Sequence, residues 1–171
     1  MIDSFRCVKD GDIEYFLKNK AIIFDNEGSA RTFLIFDEDR YISRDYFIEG
    51  YFSLAVKALS CSAMSKTMKK KLGRGIPAEA QPFILVAQLG KYISDSSCSS
   101  IHIDDIFEHV DIIVGNYTDM IPIKLLLVEC NKQVFDKKIY QNSGFTFLQT
   151  DTRIERSSGS SVTFYQLYKH I

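Results

Sequence analysis

Ile139-Tyr140-Gln141-Asn142-Ser143-Gly144-Phe145 ends one regular element and begins another. Phe135 and Ile139 stand one helical turn apart, Gly144 can take the left-handed conformation beyond the last turn, and Phe145 with Phe147 opens an alternating pattern. A helix is therefore expected to stop where a strand starts. Junctions of this kind are common in chains that mix helix and strand, so its meaning depends on what precedes it.

Outward from this junction, the preceding residues supply strands and helices in succession. Ile123 to Cys130 is a buried strand and Lys132 to Asn142 a helix; Phe145 to Gln149 and Ser161 to Tyr168 form a final pair of strands. Gln81 to Tyr92 is the strongest candidate for a central strand, because Phe83, Ile84, Leu85, Val86, Ala87 and Leu89 make a nearly continuous apolar run. The polar turn Ser94 to Ser100 follows, and Ile103, Ile106, Phe107, Val110 and Ile113 then fall at helical spacing. Nearer the start, Asp12 to Phe24 reads as one amphipathic helix. Arg31 to Phe36 and Phe47 to Leu59 read as two antiparallel strands joined by the long charged loop DEDRYISRD. Ser60 to Ala80, with Lys66, Lys69, Lys70, Lys71 and Arg74, interrupts the pattern as an exposed basic excursion. The sum is an α+β domain spanning 1–171, built on a mixed, mostly antiparallel sheet with flanking helices.

Composition narrows the function classes. At 171 residues with 46% hydrophobic content, the chain can bury the core of one domain. A formal charge of -1 argues against a surface made wholly for nucleic acid or anionic lipid, and leaves a local basic patch as the remaining route to such partners. The apolar runs PFILVAQL and IKLLLV are too short to span a bilayer, and MIDSFRCVKD has no signal-peptide core, so a cytoplasmic protein is expected. Cys7, Cys61, Cys98 and Cys130 lack any metal-ligand spacing. His102 and His109 would lie about 10 Å apart along a helix, too far to share a metal ion.

Taken together, the strand PFILVAQLGKY, the polar turn into HIDDIFEHV, the strand KLLLVEC and the element IYQNSGF resemble a GNAT-type N-acetyltransferase from about Asp12 to Tyr168. The last element is similar to that family's Y-x-x-x-G-F pattern. The resemblance implies a sheet whose central strands, here Gln81 to Tyr92 and Ile123 to Cys130, splay apart around the pantetheine arm of acetyl-CoA. It implies transfer of an acetyl group to a primary amine by direct attack on the thioester. Tyr140 would be the general acid for the departing thiolate; Glu129, by its place at the end of its strand, is the candidate base for the amine, with a surface-facing or salt-bridged glutamate as the alternative. Leu89, Gly90 and Lys91 would line the cofactor edge; Ser97, Cys98, Ser99, Ser100, Ile101 and His102 would hold the pyrophosphate; Asn131 would reach the pantetheine.

One departure from the pattern is plain. The Arg/Gln-x-x-Gly-x-Gly/Ala element is missing, because SDSSCSSIHI contains neither glycine nor arginine. Glycine lets a backbone approach phosphate closely, and Asp104 and Asp105 add negative charge at the helix opening. Serine side chains can donate to phosphate or simply cap the helix, and both readings stay open. A catalytically inactive GNAT-like binding or regulatory module is the alternative. The acceptor amine is unspecified, a nucleic-acid partner is not favoured, and a homodimer through the basic excursion is left open.

Overall fold

The computed structural model describes residues 1–73, 79–118, 120–154 and 159–171. Its elements run as a 3-10 turn at Ile2–Ser4, then α1 (Gly11–Asn19), α2 (Ala21–Asn26), β1 (Arg31–Phe36), α3 (Glu38–Ile42), β2 (Ile48–Ser60) and α4 (Lys66–Gly73). β3 (Ala80–Lys91), α5 (Ile103–Thr118), β4 (Leu125–Cys130), α6 (Lys132–Asp136), α7 (Ile139–Asn142), β5 (Thr146–Ile154) and β6 (Ser161–His170) complete the chain. The strands form one six-stranded sheet in the order β1-β2-β3-β4-β6-β5. The α+β class and the mixed, mostly antiparallel sheet agree with the sequence reading. Among the described residues no helix is long and apolar enough to cross a membrane.

Two compact units partition the chain: Met1–Ala55 with Val86–Val114, and Val56–Leu85 with Gly115–Ile171. In the first, Asp10 starts α1 by accepting hydrogen bonds from the backbone N–H groups of Asp12 and Ile13. The single helix expected from Asp12 to Phe24 is divided at Lys20 (φ -119°, ψ -32°). This break keeps Phe16, Leu17 and Ala21 buried while Ile22 and Ile23 stay exposed. The loop DEDRYISRD likewise contains a helical turn, α3, which Asp37 caps by accepting from the N–H of Arg40. β1 and β2 pair antiparallel as expected, with a register shift between Ile35 and Phe36.

The core of this unit gathers Phe5, Cys7, Phe16, Leu17, Ala21, Ile48 and Tyr51, with Ile13 and Tyr92 packed against them. Tyr51 is fully buried and its hydroxyl donates to the Ile13 carbonyl at 2.7 Å. Burial pushes this hydroxyl above the usual tyrosine range, so it remains a proton donor tying β2 to α1. Directly beneath α1 lies Gly90: a β-carbon there would overlap Ile13 Cγ2 and stand 3.4 Å from Tyr51 Cε1. The α1 helix thus occupies the space that any other residue at position 90 would fill.

In the second unit, Leu59, Leu72, Phe83, Leu125, Leu127, Leu148 and Tyr168 form the core, with Met64, Met68 and Leu85 alongside. The excursion Ser60 to Ala80 is therefore only partly exposed. Leu72 of α4 is buried, which turns Lys66, Lys70 and Lys71 outward. Arg74, the last cation of that run, lies outside the described residues. The helix expected from Lys132 to Asn142 is two short helices, because Lys138 takes the left-handed conformation (φ 56°) between them. β4 pairs antiparallel with β6, and β6 with β5.

Gly90→Ala is expected to lower unfolding stability by about 1–3 kcal/mol through overpacking against Ile13. Because Ile13→Ala removes the overlapping atom, urea unfolding of the double variant should show a loss smaller than the sum of the single ones. Additive losses would show that α1 does not dictate the glycine.

Candidate functional site

The sequence points to two groups of residues, one in each unit. In the first, β3 ends at Lys91 and the chain reaches α5 through residues 92–102. The first residues of this loop bond outside it, Tyr92 N–H donating to the Glu49 carbonyl and Ile93 N–H to that of Arg6, while the later ones bond largely within it. Ile93 bridges Cys98, and the N–H of Ser99 donates to the Tyr92 carbonyl at 2.9 Å. Ser94 and Ser97 exchange bonds: Ser94 N–H donates to the Ser97 carbonyl at 2.7 Å, and Ser97 N–H donates to Ser94 Oγ at 3.0 Å. Ser99 is buried, with its Oγ accepting from the N–H of Ile101 at 3.2 Å. The N–H of His102 donates to Asp105 Oδ2 at 2.6 Å. Asp105 thus reaches back over the start of α5 as the acidic member of a capping box does.

These bonds engage most of the loop's N–H groups. The N–H groups of Ser97, Ser99, Ile101 and His102, expected to face a pyrophosphate, already donate within the chain. Serine replaces the missing glycines by self-bonding, since a short hydroxyl can satisfy the backbone two or three residues away. Cys98 and Ser100 are exposed. Gly90 has its α-carbon turned against Ile13, so only its main chain is left for a ligand, while Leu89 is half-buried. Lys91 does more than line an edge. Its Nζ donates to the carbonyls of Ser99 at 3.2 Å and Ile101 at 3.0 Å, placing a cation inside the loop.

In the second unit, Tyr140 lies on α7, half-buried between Lys138 and Gly144. Gly144 (φ 90°) ends the helix as the sequence suggests. Phe145 N–H donates to the Tyr140 carbonyl at 3.0 Å and Gly144 N–H to the Gln141 carbonyl at 3.1 Å, the paired bonds of a Schellman stop. Phe145 is buried and meets the Tyr140 ring edge-on, with centroids 6.1 Å apart. Burial first, and the nearby Cys130 second, push the Tyr140 hydroxyl up to about 12. The group stays protonated across the neutral range. Burial also pushes the Cys130 thiol up to about 11, which leaves it inert rather than nucleophilic at neutral pH.

Glu129 precedes Cys130 on β4, so the two side chains point to opposite faces of the sheet. Cys130 pairs with Tyr165, which stacks on Phe135 of α6 with centroids 4.4 Å apart. Glu129 is turned to the other face. There its Oε1 accepts from Lys57 Nζ, Arg153 NH2 and Gln166 Nε2, each at 2.6 Å. Gln149 Nε2 in turn donates to Gln166 at 2.8 Å, and Arg153 also meets Asp151 and lies over the Phe164 ring at 4.7 Å.

Glu129, expected as the general base, stands here as an ion-paired carboxylate. Burial alone would raise its carboxyl, but the bonds from Lys57, Arg153 and Gln166 outweigh burial and hold it below the usual range. A carboxylate with three donors on one oxygen is a poor proton acceptor. Sequence could not reveal this ring, since its members lie on β2, β4, β5 and β6 and meet only through strand register. Asn131 is also committed: its Oδ1 caps α6 by accepting from the N–H of Val134 at 2.9 Å. No group of three His, Cys, Asp or Glu residues able to hold a metal ion occurs among the described residues.

No protein-family model matches the chain, and comparison with curated proteins gives no match. Solved structures do match in fold. AtaT complexed with acetyl-methionyl-tRNAfMet is similar with a TM-score of 0.70 and 18% identity, over 99% of this chain and 87% of the other. A tyrosine-to-phenylalanine variant of KacT is similar with a TM-score of 0.70 and 21% identity over the same shares. AtaTR bound with AcCoA gives 0.64 and 18%, over 96% of this chain and 86% of that one. These likenesses show a shared fold.

Replacing Glu129 by Gln is expected to cost about 1–3 kcal/mol at pH 7, since two cations lose their shared anion. The folded pKa is depressed, so the wild-type contribution is complete above the unfolded value of about 4.3 and lost as pH falls through the lower folded value. Urea unfolding between pH 3 and 7 should therefore show the wild type losing its advantage over the variant only in acid. An equal midpoint at pH 7 would show that the ring adds nothing to stability.

Proposed function

We propose that the protein is an acetyl-CoA-dependent N-acetyltransferase that transfers the acetyl group directly to a primary amine, with Tyr140 as general acid. The fold shared with AtaT and KacT and the acetyl-CoA bound to AtaTR support the donor. Tyr140 carries the reading. It stands on a helix stop fixed by Gly144, in the sequence context IYQNSGF, and its hydroxyl is protonated at neutral pH and so can donate to a departing thiolate. The amine attacks the thioester carbonyl, the tetrahedral adduct collapses to the amide, and the sulfur leaves as it takes the tyrosine proton. Solvent returns a proton to Tyr140, and the amine gives up its own to water, since Glu129 is held by its three donors.

The amine at the charged end of a tRNA is the acceptor class with support. AtaT has been solved with acetyl-methionyl-tRNAfMet, and α4 of this chain presents exposed lysines with no acid between Lys66 and Gly73.

A specific observation favours a second reading, a GNAT-fold module without catalysis. The loop N–H groups of Ser97, Ser99, Ile101 and His102 are occupied within the chain, so less is left to grip a pyrophosphate. Calorimetric titration with acetyl-CoA separates the two. Micromolar binding is expected, and absence of binding at millimolar ligand would leave only the inactive module.

Tyr140→Phe should then lower kcat by roughly a hundredfold or more while leaving the Kd of acetyl-CoA unchanged. A donor must be protonated, so the wild-type rate should lose this contribution only as pH rises through about 12. An unaltered kcat in the variant would remove Tyr140 from the chemistry.

A further inference from the structure

The sheet ends at β1, and the outer side of that strand is open. Its inner side pairs with β2, from Arg31 opposite Leu54 to Phe36 opposite Ile48. Beyond that ladder, no backbone N–H or C=O of residues 32–36 has a hydrogen-bond partner among the described residues. Sheets guard such edges with charge, proline or a bulge. Here the one charge is Arg31 at the start, already paired with Asp25 at 3.0 Å, and the register shift comes only between Ile35 and Phe36. Thr32 to Ile35 are left as an uncharged run of open edge. A groove follows it, floored by Phe33 to Phe36 and by Phe52 of β2, and walled by His109 and Ile113 of α5. Exposed Ile112 adds apolar surface to the same helix.

The surroundings are acidic. The first unit carries sixteen Asp and Glu against eight Lys and Arg, although the whole chain is near neutral. From Ile103 to Thr118, α5 has four acids and neither lysine nor arginine. Glu108 stands beside His109, and Glu38 and Asp39 open α3 just past the end of β1. Among the described residues the ion pairs near β1 and α3 are Arg31 with Asp25 and Arg40 with Asp45, which leaves the carboxylates of Glu38, Asp39 and Glu108 unpaired.

We propose that β1 and this groove are a docking site for an extended, cationic peptide segment of a partner protein, which adds to the sheet as a strand outside β1. The site is independent of the transferase chemistry. A strand laid along the edge satisfies the open N–H and C=O groups, which gives affinity without regard to sequence. Preference then comes from alternation. Every second side chain of the added strand turns to the groove, where the phenylalanines of β1 and Ile113 receive an aliphatic or aromatic group. Lysine or arginine at the positions between meets the field of Glu38, Asp39 and Glu108 at the rim. The same charges select against other occupants. A second copy docking through β1 would bring two acidic units together, and a nucleic acid would be repelled by the same carboxylates.

The probe is a peptide blocked at both ends, Lys-Ile-Lys-Val-Thr-Val-Lys, and its counterpart with glutamate in place of lysine is the control. Calorimetry should give a Kd for the basic peptide about tenfold or more below that of the acidic one, with the difference shrinking as salt rises. Two forms of the basic peptide, N-methylated at odd or at even residues, separate strand addition from a loose charge contact. Only the form whose methyl groups face β1 should lose binding. Hydrogen exchange at residues 32–36 should slow when the basic peptide is bound. Glu38→Gln, Asp39→Asn and Glu108→Gln together should weaken binding by about tenfold with little change in Tm, since all three side chains are exposed. Absence of binding at millimolar peptide, equal affinity for the basic and acidic peptides, equal behaviour of the two methylated forms, or protection confined to residues outside β1 would each overturn the proposal. A dimeric mass in solution, with exchange at residues 32–36 slowing as protein concentration rises, would assign the edge to a second copy and overturn it as well.

Discussion

The contact between Ile13 and Gly90 is the constraint on which the first unit is arranged. An isoleucine side chain takes up the volume of a missing β-carbon, so α1 lies nearer to β3 than it could over any other residue. That proximity brings the Ile13 carbonyl within 2.7 Å of the Tyr51 hydroxyl, and it places buried Phe16 and Leu17 against the same core. The end of β3 is thereby fixed in position. Lys91 begins its reach into the following loop from there, and the loop feeds α5. A packing requirement at one glycine is passed, residue by residue, to the backbone of that loop.

The second unit is organised by a different constraint. Glu129 is the anion on which three donors from three other strands converge, and it stands at the end of the apolar row made by Leu125 and Leu127. Burying this carboxylate costs desolvation energy, which Lys57, Arg153 and Gln166 offset by supplying charge and hydrogen bonds. The alternation of β4 then assigns the other face to Cys130, with Tyr165 and Phe135 of α6. One strand separates the bound Glu129 anion from the Cys130 thiol by placing adjacent residues on opposite sides.

Much of this was legible in the sequence. Strands and longer helices follow from periodicity, because side chains repeat every two or every three to four residues and burial selects one face. Gly144 was readable as a helix stop because only a residue tolerant of positive φ ends a helix in that way, and it has φ 90°. Breaks within helices were not readable. Neither Lys20 nor Lys138 carries a local signal, and lysine is a good helix former, so these interruptions come from packing. The segment Ser60 to Ala80 is only partly exposed for a related reason: lysines dominate its composition, whereas the burial of Leu72 depends on partners such as Phe83 and Leu125 elsewhere in the chain.

By itself the sequence determined the α+β order of elements, the helix stop at Gly144 and the position of Tyr140 beside it, since each is set by residues within a few positions of one another. Only the tertiary structure decided that Glu129 is a bound anion, that Asn131 is a cap, that Gly90 makes room for a helix, and that Lys91 holds the loop. The physical reason is the same in the cases of Glu129 and Gly90. The chemistry of a carboxylate, or the need for a glycine, is fixed by which atoms approach within a few ångströms, and those atoms come from strands and helices that register and packing bring together.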